Sequence, residues 1–383
     1  MKVPLLDLKG QYHSIKAEML PVLIEVIESQ LFILGPNVEK LEQQIACYCG
    51  AAHAVGVTSG SDALLLALMA LDIKPGDKVI TTPYTFFATA GSICRVGAEP
   101  LFVDIHPDTF NINPEKIREL LKRLPAGERS RVKAVMPVHL YGQCADMTEI
   151  MAIAHEYDLK VIEDAAQALG ASCTIGGRER KSCSMGDFGC ISFFPSKNLG
   201  CFGDGGMVTA HDEQLAKKLK SLRMHGQTHT YHHQYIGMNG RLDALQAAVL
   251  LVKLPHLDAW AQGRRENASL YEKLFSKAGL LEDITPPVRR PDCIHVYNQF
   301  VIRARSRDAL KDHLDKNGIG SAIYYPLCLH LQDCFKFLGG KQGDYPEAEK
   351  ASQETLALPV FPELSSSQIE YVVEQIAAFY KKQ

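Results

Sequence analysis

The stretch Lys160-Val161-Ile162-Glu163-Asp164-Ala165-Ala166-Gln167 sets two adjacent acids at the end of a short apolar run. Val161 and Ile162 sit side by side with no polar residue between them, which suits a strand of a parallel sheet covered on both faces. A carboxylate at the carboxyl end of such a strand is costly unless a cation or donors meet it, and in open α/β sheets that edge is where ligands bind. A protonated ring nitrogen would satisfy it. So would a capping or loop hydrogen bond, and the eight residues alone leave both readings open.

Upstream, the same grammar repeats. Lys78 to Thr82, entered through the turn Pro75-Gly76-Asp77, Leu101 to Ile105 and Val132 to Val138 read as further strands with helices in the gaps. Asn113 is placed to cap a helix opened by Pro114, with Ile117, Leu120, Leu121 and Leu124 spaced for one buried face. Downstream, Phe188 to Phe194 and Gly206 to Ala210 read as two more strands, split by a loop rich in glycine. Helical patterns follow at Asp212 to Met224, Leu242 to Leu254 and His256 to Ala278. A strand at Asn298 to Ile302 and helices at Arg307 to Lys316 and Ser367 to Lys381 look like a smaller unit. The expectation is an α/β fold with a mainly parallel central sheet flanked by helices. Residues 1–255, including an N-terminal helical segment, would form the large domain, and residues 256–383 a small α+β one.

Composition narrows the function. Of 383 residues, 41 are Lys or Arg and 44 are Asp or Glu, so the net charge of -3 offers no basic excess for nucleic acid. The apolar run Ala63 to Leu71 is far short of the ~20 residues that span a bilayer, and Asp7 and Lys9 interrupt the start of the chain. Eleven cysteines without a CxxC pair point to reduced, mostly buried thiols rather than a disulfide framework. A cytoplasmic protein with no membrane or nucleic-acid partner is expected.

Two further stretches bear on chemistry. Thr58-Ser59-Gly60-Ser61-Asp62 stands before an apolar helix, where unpaired N–H groups and the helix dipole favour an anion; a plain helix cap uses the same residue types. Ser192-Phe193-Phe194-Pro195-Ser196-Lys197 puts a lysine just past an aromatic strand, where partial desolvation would lower its pKa and free a nucleophilic amine. No GxxxxGK[ST] or GxGxxG stretch competes. An anion cup, a strand-end acid and a loop lysine, in that order, are what pyridoxal 5'-phosphate requires. Phe86, in Tyr84-Thr85-Phe86-Phe87, is placed to stack on the cofactor ring or to serve as plain core. His225, His229 and His233 have helical spacing, but Gly226 and the lack of a cysteine or carboxylate partner count against a metal site, and none is expected.

Over nearly its whole length the chain resembles the DegT/StrS family of sugar-nucleotide aminotransferases, within fold type I of the pyridoxal-phosphate enzymes. The resemblance rests on Phe32-Ile33-Leu34-Gly35-Pro36, Ser59 to Leu64, Phe102 to Ile105, Pro137 to Gly142, Ile162 to Gln167, Ser192 to Lys197, Gly203 to Gly206 and Asn239 to Asp243. It implies that Lys197 holds the cofactor as an imine and shuttles the proton, and that Asp164 partners the ring nitrogen. Phe86 would stack on the ring, Gln167 would lie on its hydroxyl side, and Gly60, Ser61, Asp62 and Ser192 would hold the phosphate. Asn239 would reach the phosphate of a partner subunit, making the active unit a homodimer with shared sites. Tyr325 and His330, in Tyr324 to His330, and His229 would contact the sugar.

The reaction implied is transfer of an amino group from L-glutamate to a UDP- or dTDP-linked keto-sugar, at the 3-position, for cell-surface polysaccharide or lipopolysaccharide synthesis. Enzymes of the uronate type are expected to carry arginine where this chain has Thr228-His229-Thr230, which counts against a uronate substrate. A branch of the family has histidine in place of the lysine and dehydrates sugars; Lys197 favours transamination. A noncatalytic regulator on the same scaffold would share every cofactor residue.

Overall fold

The computed structural model describes residues 1–381. Seven strands form the central sheet: β1 (His53–Val57), β2 (Lys78–Thr81), β3 (Glu99–Phe102), β4 (Val132–Val135), β5 (Lys160–Asp164), β6 (Phe188–Ser192) and β7 (Gly206–Ala210). Their order across the sheet is β1-β7-β6-β5-β4-β2-β3. Ladders from β3 through β2, β4 and β5 to β6 are parallel, whereas β7 runs antiparallel to both its neighbours. The fold is α/β with a mainly parallel sheet, as the apolar strands imply.

Adjacent strand residues bury on opposite faces, as the two-residue period of a strand requires. Ile80 and Val161 join a core with Val38, Leu41, Ile117 and Ile150 from helices on one side. Val79 and Ile162 join another with Leu64, Leu66 and Leu68 of helix Gly60–Ala70 and with Leu219 of helix Glu213–Leu222. Helix Gly60–Ala70 is apolar on nearly every side because it is buried on nearly every side.

Some strands end earlier than their apolar runs suggest. Beyond Val135 the chain carries Pro137, which has no N–H to give a ladder, and contact with β5 shrinks to a single bridge between Val138 and Asp164. Asn113 does cap helix Pro114–Arg123, accepting from Glu115 N at 2.9 Å. A three-stranded sheet of Ser172–Ile175, Arg178–Lys181 and Cys293–Ile294 was not foreseen.

Past residue 256, strands Ile284–Thr285, Phe300–Ala304 and Thr355–Leu358 form a separate antiparallel sheet. Helix Leu257–Lys277 joins the cores: Leu257 and Ala261 pack into the first, while Ala268, Tyr271 and Phe275 pack into that of the C-terminal sheet. Val3 also packs there, bridged to Ile319. Among the described residues no helix is long and apolar enough to cross a membrane, and all eleven cysteines are free thiols.

Candidate active site

The carboxyl ends of β1, β2, β5 and β6 open onto one cavity of ≈ 460 Å³. Its lining includes Ser59, Gly60 and Ser61 after β1, Thr85 and Phe86 after β2, Asp164 and Gln167 at β5, and Ser192 and Lys197 at β6. Stretches more than a hundred residues apart in sequence thus meet at one sheet edge, the place where parallel α/β sheets take ligands.

Ser59 caps helix Gly60–Ala70, its hydroxyl accepting from Asp62 N at 3.1 Å. That leaves the first two helical N–H groups, those of Gly60 and Ser61, without an intrahelical partner and beside the cavity. A Cβ on Gly60 would lie 2.7 Å from Ser192 Cβ, and one on Gly206 would lie 2.4 Å from the Ser59 carbonyl carbon. Glycine at both positions lets β6 and β7 close around the helix start, so the cap and the anion cup coexist. Asp62, expected in the cup, does not line the cavity. Its carboxylate accepts from the hydroxyls of Thr58 and of Ser59, turning away from the cavity lining as a second capping group.

Asp164 is buried, and burial pushes its carboxyl above the usual range. Thr89 Oγ1, donating to Oδ2 at 2.8 Å, the Ala166 N–H, donating to Oδ1 at 3.2 Å, and the nearby Lys197 amine pull the other way. Neighbouring Glu163 faces the opposite side of the strand. It accepts from Met185 N at 2.7 Å, Gly186 N at 2.8 Å, Cys183 N at 2.9 Å and His139 Nε2 at 2.9 Å. His139 Nδ1 accepts from Ala145 N, which assigns its proton to Nε2 and keeps the ring a neutral donor to Glu163. The two acids of the opening motif therefore divide: Glu163 fastens the strand end and Asp164 faces the cavity.

Burial pushes the Lys197 amine down to about 8, with Asp164 opposing. The lysine sits in a turn in which its N–H donates to Phe194 O at 2.8 Å. Phe86 is 57% exposed although apolar, and its ring lies on the cavity wall 6.2 Å from that of Tyr325. Gln167 accepts from Tyr141 N at 2.7 Å and donates to Tyr325 Oη at 3.1 Å. An anion cup, a buried acid, an uncovered aromatic face and an amine of lowered basicity fit the phosphate, ring nitrogen, ring face and aldehyde of pyridoxal phosphate.

Besides Asp62, three residues expected at the site do not line this cavity. His330 is buried outside the lining, its Nε2 donating to Glu349 at 3.0 Å beside Tyr345, so its ring serves the packing of the C-terminal part. His229 lies on an exposed hairpin of Gln227–His229 and His232–His233 rather than the helix that its histidine spacing suggests. Positive φ at His225 and at Gly226, +61 and +76, excludes that helix. Asn239 is exposed at a bridge to Met224, also outside the cavity of its own chain. Among the described residues no group of three or more His, Cys, Asp or Glu could hold a metal.

Sequence reading missed Thr85, Thr89 and Gln299, and named Tyr324 only as the start of the stretch that holds Tyr325. Thr85 and Thr89 stand four residues apart, their hydroxyls 3.0 Å apart, and that spacing was the signal available. Gln299 comes from the C-terminal part, and nothing local marks it.

The family model for the DegT/DnrJ/EryC1/StrS aminotransferase family matches residues 13–377. A protein of Geobacillus stearothermophilus named "Pleiotropic regulatory protein" is 49% identical over 383 residues, covering 100% of this chain and 99% of that protein. The UDP-N-acetyl-3-dehydro-alpha-D-glucosamine 3-aminotransferase of Acidithiobacillus ferrooxidans is 43% identical, covering 98% of this chain and 97% of its own. The crystal structure of DesV from S. venezuelae, in complex with a ketimine intermediate, superposes with a TM-score of 0.92 at 39% identity, covering 99% of this chain and 98% of that one. Matched from end to end in sequence and fold, and with a cavity built to the same chemistry, the chain belongs to the DegT/DnrJ/EryC1/StrS aminotransferase family, and its cofactor is pyridoxal 5'-phosphate.

Proposed function

We propose that the protein moves an amino group from L-glutamate to the 3-keto position of a UDP- or dTDP-linked sugar, supplying amino sugars for surface polysaccharide. The observation that carries this is the convergence of Lys197, Asp164, Phe86 and the Gly60–Ser61 helix start on one cavity. The 43% identical relative that aminates a 3-keto sugar nucleotide supports the substrate class.

Bound, the cofactor supplies an aldehyde and a ring able to take up negative charge from a substrate carbon. Lys197 Nζ is the group that holds and releases that aldehyde and carries the proton between substrate and cofactor carbons. With its pKa near 8, roughly a tenth of the amine is neutral at pH 7, against a negligible share for an exposed lysine. Asp164 keeps the ring nitrogen protonated, and Thr89 on Oδ2 with the Ala166 N–H on Oδ1 fixes the orientation of its carboxylate. The Gly60 and Ser61 N–H groups and the Ser192 hydroxyl bind the phosphate. Phe86 covers one ring face, Gln167 lies by the ring hydroxyl, and Tyr325 borders the sugar.

The working form is a homodimer in the cytoplasm, divided within each chain near residue 256. Asn239, exposed and outside its own cavity, then reaches the phosphate of the facing subunit, and His229 the facing sugar. Apolar side chains left bare near the N-terminus, Leu20, Ile24, Ile27 and Leu31, suit a second copy.

A second reading, a regulator that binds the cofactor without turnover, is favoured by the name of the 49% identical relative. Incubation with L-glutamate separates the two: an aminotransferase loses its visible cofactor band as the amino form accumulates. No spectral change with glutamate, glutamine or alanine would leave the regulator standing.

A further inference from the structure

Tyr141 lies outside the cavity lining, yet each of its polar groups ends on a residue that lines it. Its N–H donates to Gln167 Oε1 at 2.7 Å. Its carbonyl accepts from Gln299 N at 3.3 Å. Its hydroxyl donates to the Tyr324 carbonyl and lies 3.0 Å from Tyr84 Oη, which itself donates to the same carbonyl at 2.7 Å. The side chain is 3% exposed, and the backbone is held at φ 60, ψ 0, a left-handed conformation unfavourable for a bulky residue. Gly142 follows at φ 108, and a Cβ there would meet the N–H groups of Tyr297 and Asn298, so the turn is pressed directly against the C-terminal part. Strain kept at a buried residue with every polar group committed marks a position fixed by its surroundings.

The three partners come from two sources. Gln167 follows β5, beside the cofactor, whereas Gln299 and Tyr324 belong to the C-terminal part and form the opposite wall. Tyr325, next to the clamped Tyr324 carbonyl, closes the loop by accepting from Gln167 Nε2. Burial keeps both tyrosine hydroxyls protonated, Tyr84 being raised to about 12 and Tyr141 well above its ordinary value, so both remain donors throughout the working pH range.

We propose that Tyr141 is a positioning residue that sets the spacing between the cofactor wall (Gln167) and the acceptor wall (Gln299, Tyr324 and Tyr325) of the cavity. This rests on the aminotransferase reading for the identity of the acceptor, and on geometry alone for the spacing. Removing the hydroxyl leaves the backbone bonds in place and frees the Tyr324 carbonyl of one of its two donors, so the acceptor wall drifts while the donor reaction on the cofactor side proceeds.

The test is Tyr141→Phe in the holoenzyme, compared with Tyr84→Phe and with Tyr271→Phe, whose buried hydroxyl has no partner and lies in the C-terminal core. Tyr141→Phe should raise KM for the keto-sugar nucleotide about tenfold, with kcat and the glutamate half-reaction within about threefold of wild type. Tyr84→Phe should shift KM in the same direction, and Tyr271→Phe should not move it. Without any substrate, the pH midpoint of the bound cofactor's visible band should shift by about 0.3 unit or more in Tyr141→Phe, because Gln167 and Tyr325 are re-spaced. If wild type itself fails to react with glutamate, the aminotransferase reading falls and the midpoint still decides the spacing. An unchanged midpoint in Tyr141→Phe, with any loss confined to melting temperature, overturns the proposal.

Discussion

Lys197 is the residue whose environment does most to set the chemistry, and its cost is measurable apart from catalysis. An amine whose folded pKa is about 8, against an ordinary 10.5, takes up its proton less readily when folded than when unfolded. Between those values the unfolded chain binds more protons, so the lysine's destabilising contribution is full below pH 8 and fades as pH rises toward 10.5. In the cofactor-free protein, Lys197→Met should therefore be more stable than wild type at pH 7 by roughly 1–2 kcal/mol, allowing for solvent in the cavity. The gap should close by pH 10.5 in denaturant titrations; one that stayed constant with pH would show that the methionine gains only by packing. Residue-level legibility was uneven. Asp164 was readable because a charge ending an apolar strand stands out, but Asp62 and His330 share motifs with true lining residues and still face elsewhere. Neither the capping bonds of Asp62 nor the Glu349 partner of His330, nineteen residues away, is written in those motifs.

The elements matter to the site through how closely they approach. Helix Gly60–Ala70 begins where β6 and β7 crowd it, and the loop from Pro195 to Phe202 is pinned to helix Ala244–Lys253 by Lys253 Nζ on Gly200 O at 2.7 Å and by Phe202 N on Gln246 Oε1 at 2.9 Å. Gly60→Ala would bring a methyl group against the Ser192 side chain and part these elements by a few tenths of an ångström. Cofactor affinity should fall by about tenfold, read by equilibrium dialysis, with the melting temperature of the cofactor-free protein lowered only slightly. Wild-type affinity would mean that the cup is built elsewhere. The order of strands and helices was legible because the apolar runs and the Asn113 cap are local signals. Strand ends were not, because apolar runs continue after the ladder stops, as Val138 and Phe194 do in the cavity wall. The histidine hairpin was misleading for a related reason: its spacing is helical, and the positive φ of His225, Gly226 and Tyr231, which local sequence does not display, excludes a helix.

At the scale of the whole molecule, helix Leu257–Lys277 ties two cores together, and Arg264 on it donates to the carbonyls of Tyr297 at 3.1 Å and Val360 at 2.7 Å. The C-terminal part is thereby held where Gln299 and Tyr324 can wall the cavity. Gln299 escaped sequence reading for that reason, since only the tertiary fold brings it near Lys197. The proposed sharing of sites between subunits predicts complementation. Lys197→Ala and Asn239→Asp homodimers should each be nearly inactive, the second because a carboxylate would face the phosphate. Mixing them after mild dissociation should restore about a quarter of wild-type activity, through hybrids with one intact site. No recovery would mean that each chain builds its site alone.

Everything in the proposed chemistry requires the Lys197 amine to hold the cofactor. Borohydride reduction of the holoenzyme fixes the cofactor to whichever amine carries it, and peptide mapping by mass then locates it. The pyridoxyl mass should appear on the peptide containing Lys197 and be lost from Lys197→Ala; label on Lys253 or on any other lysine would contradict the assignment.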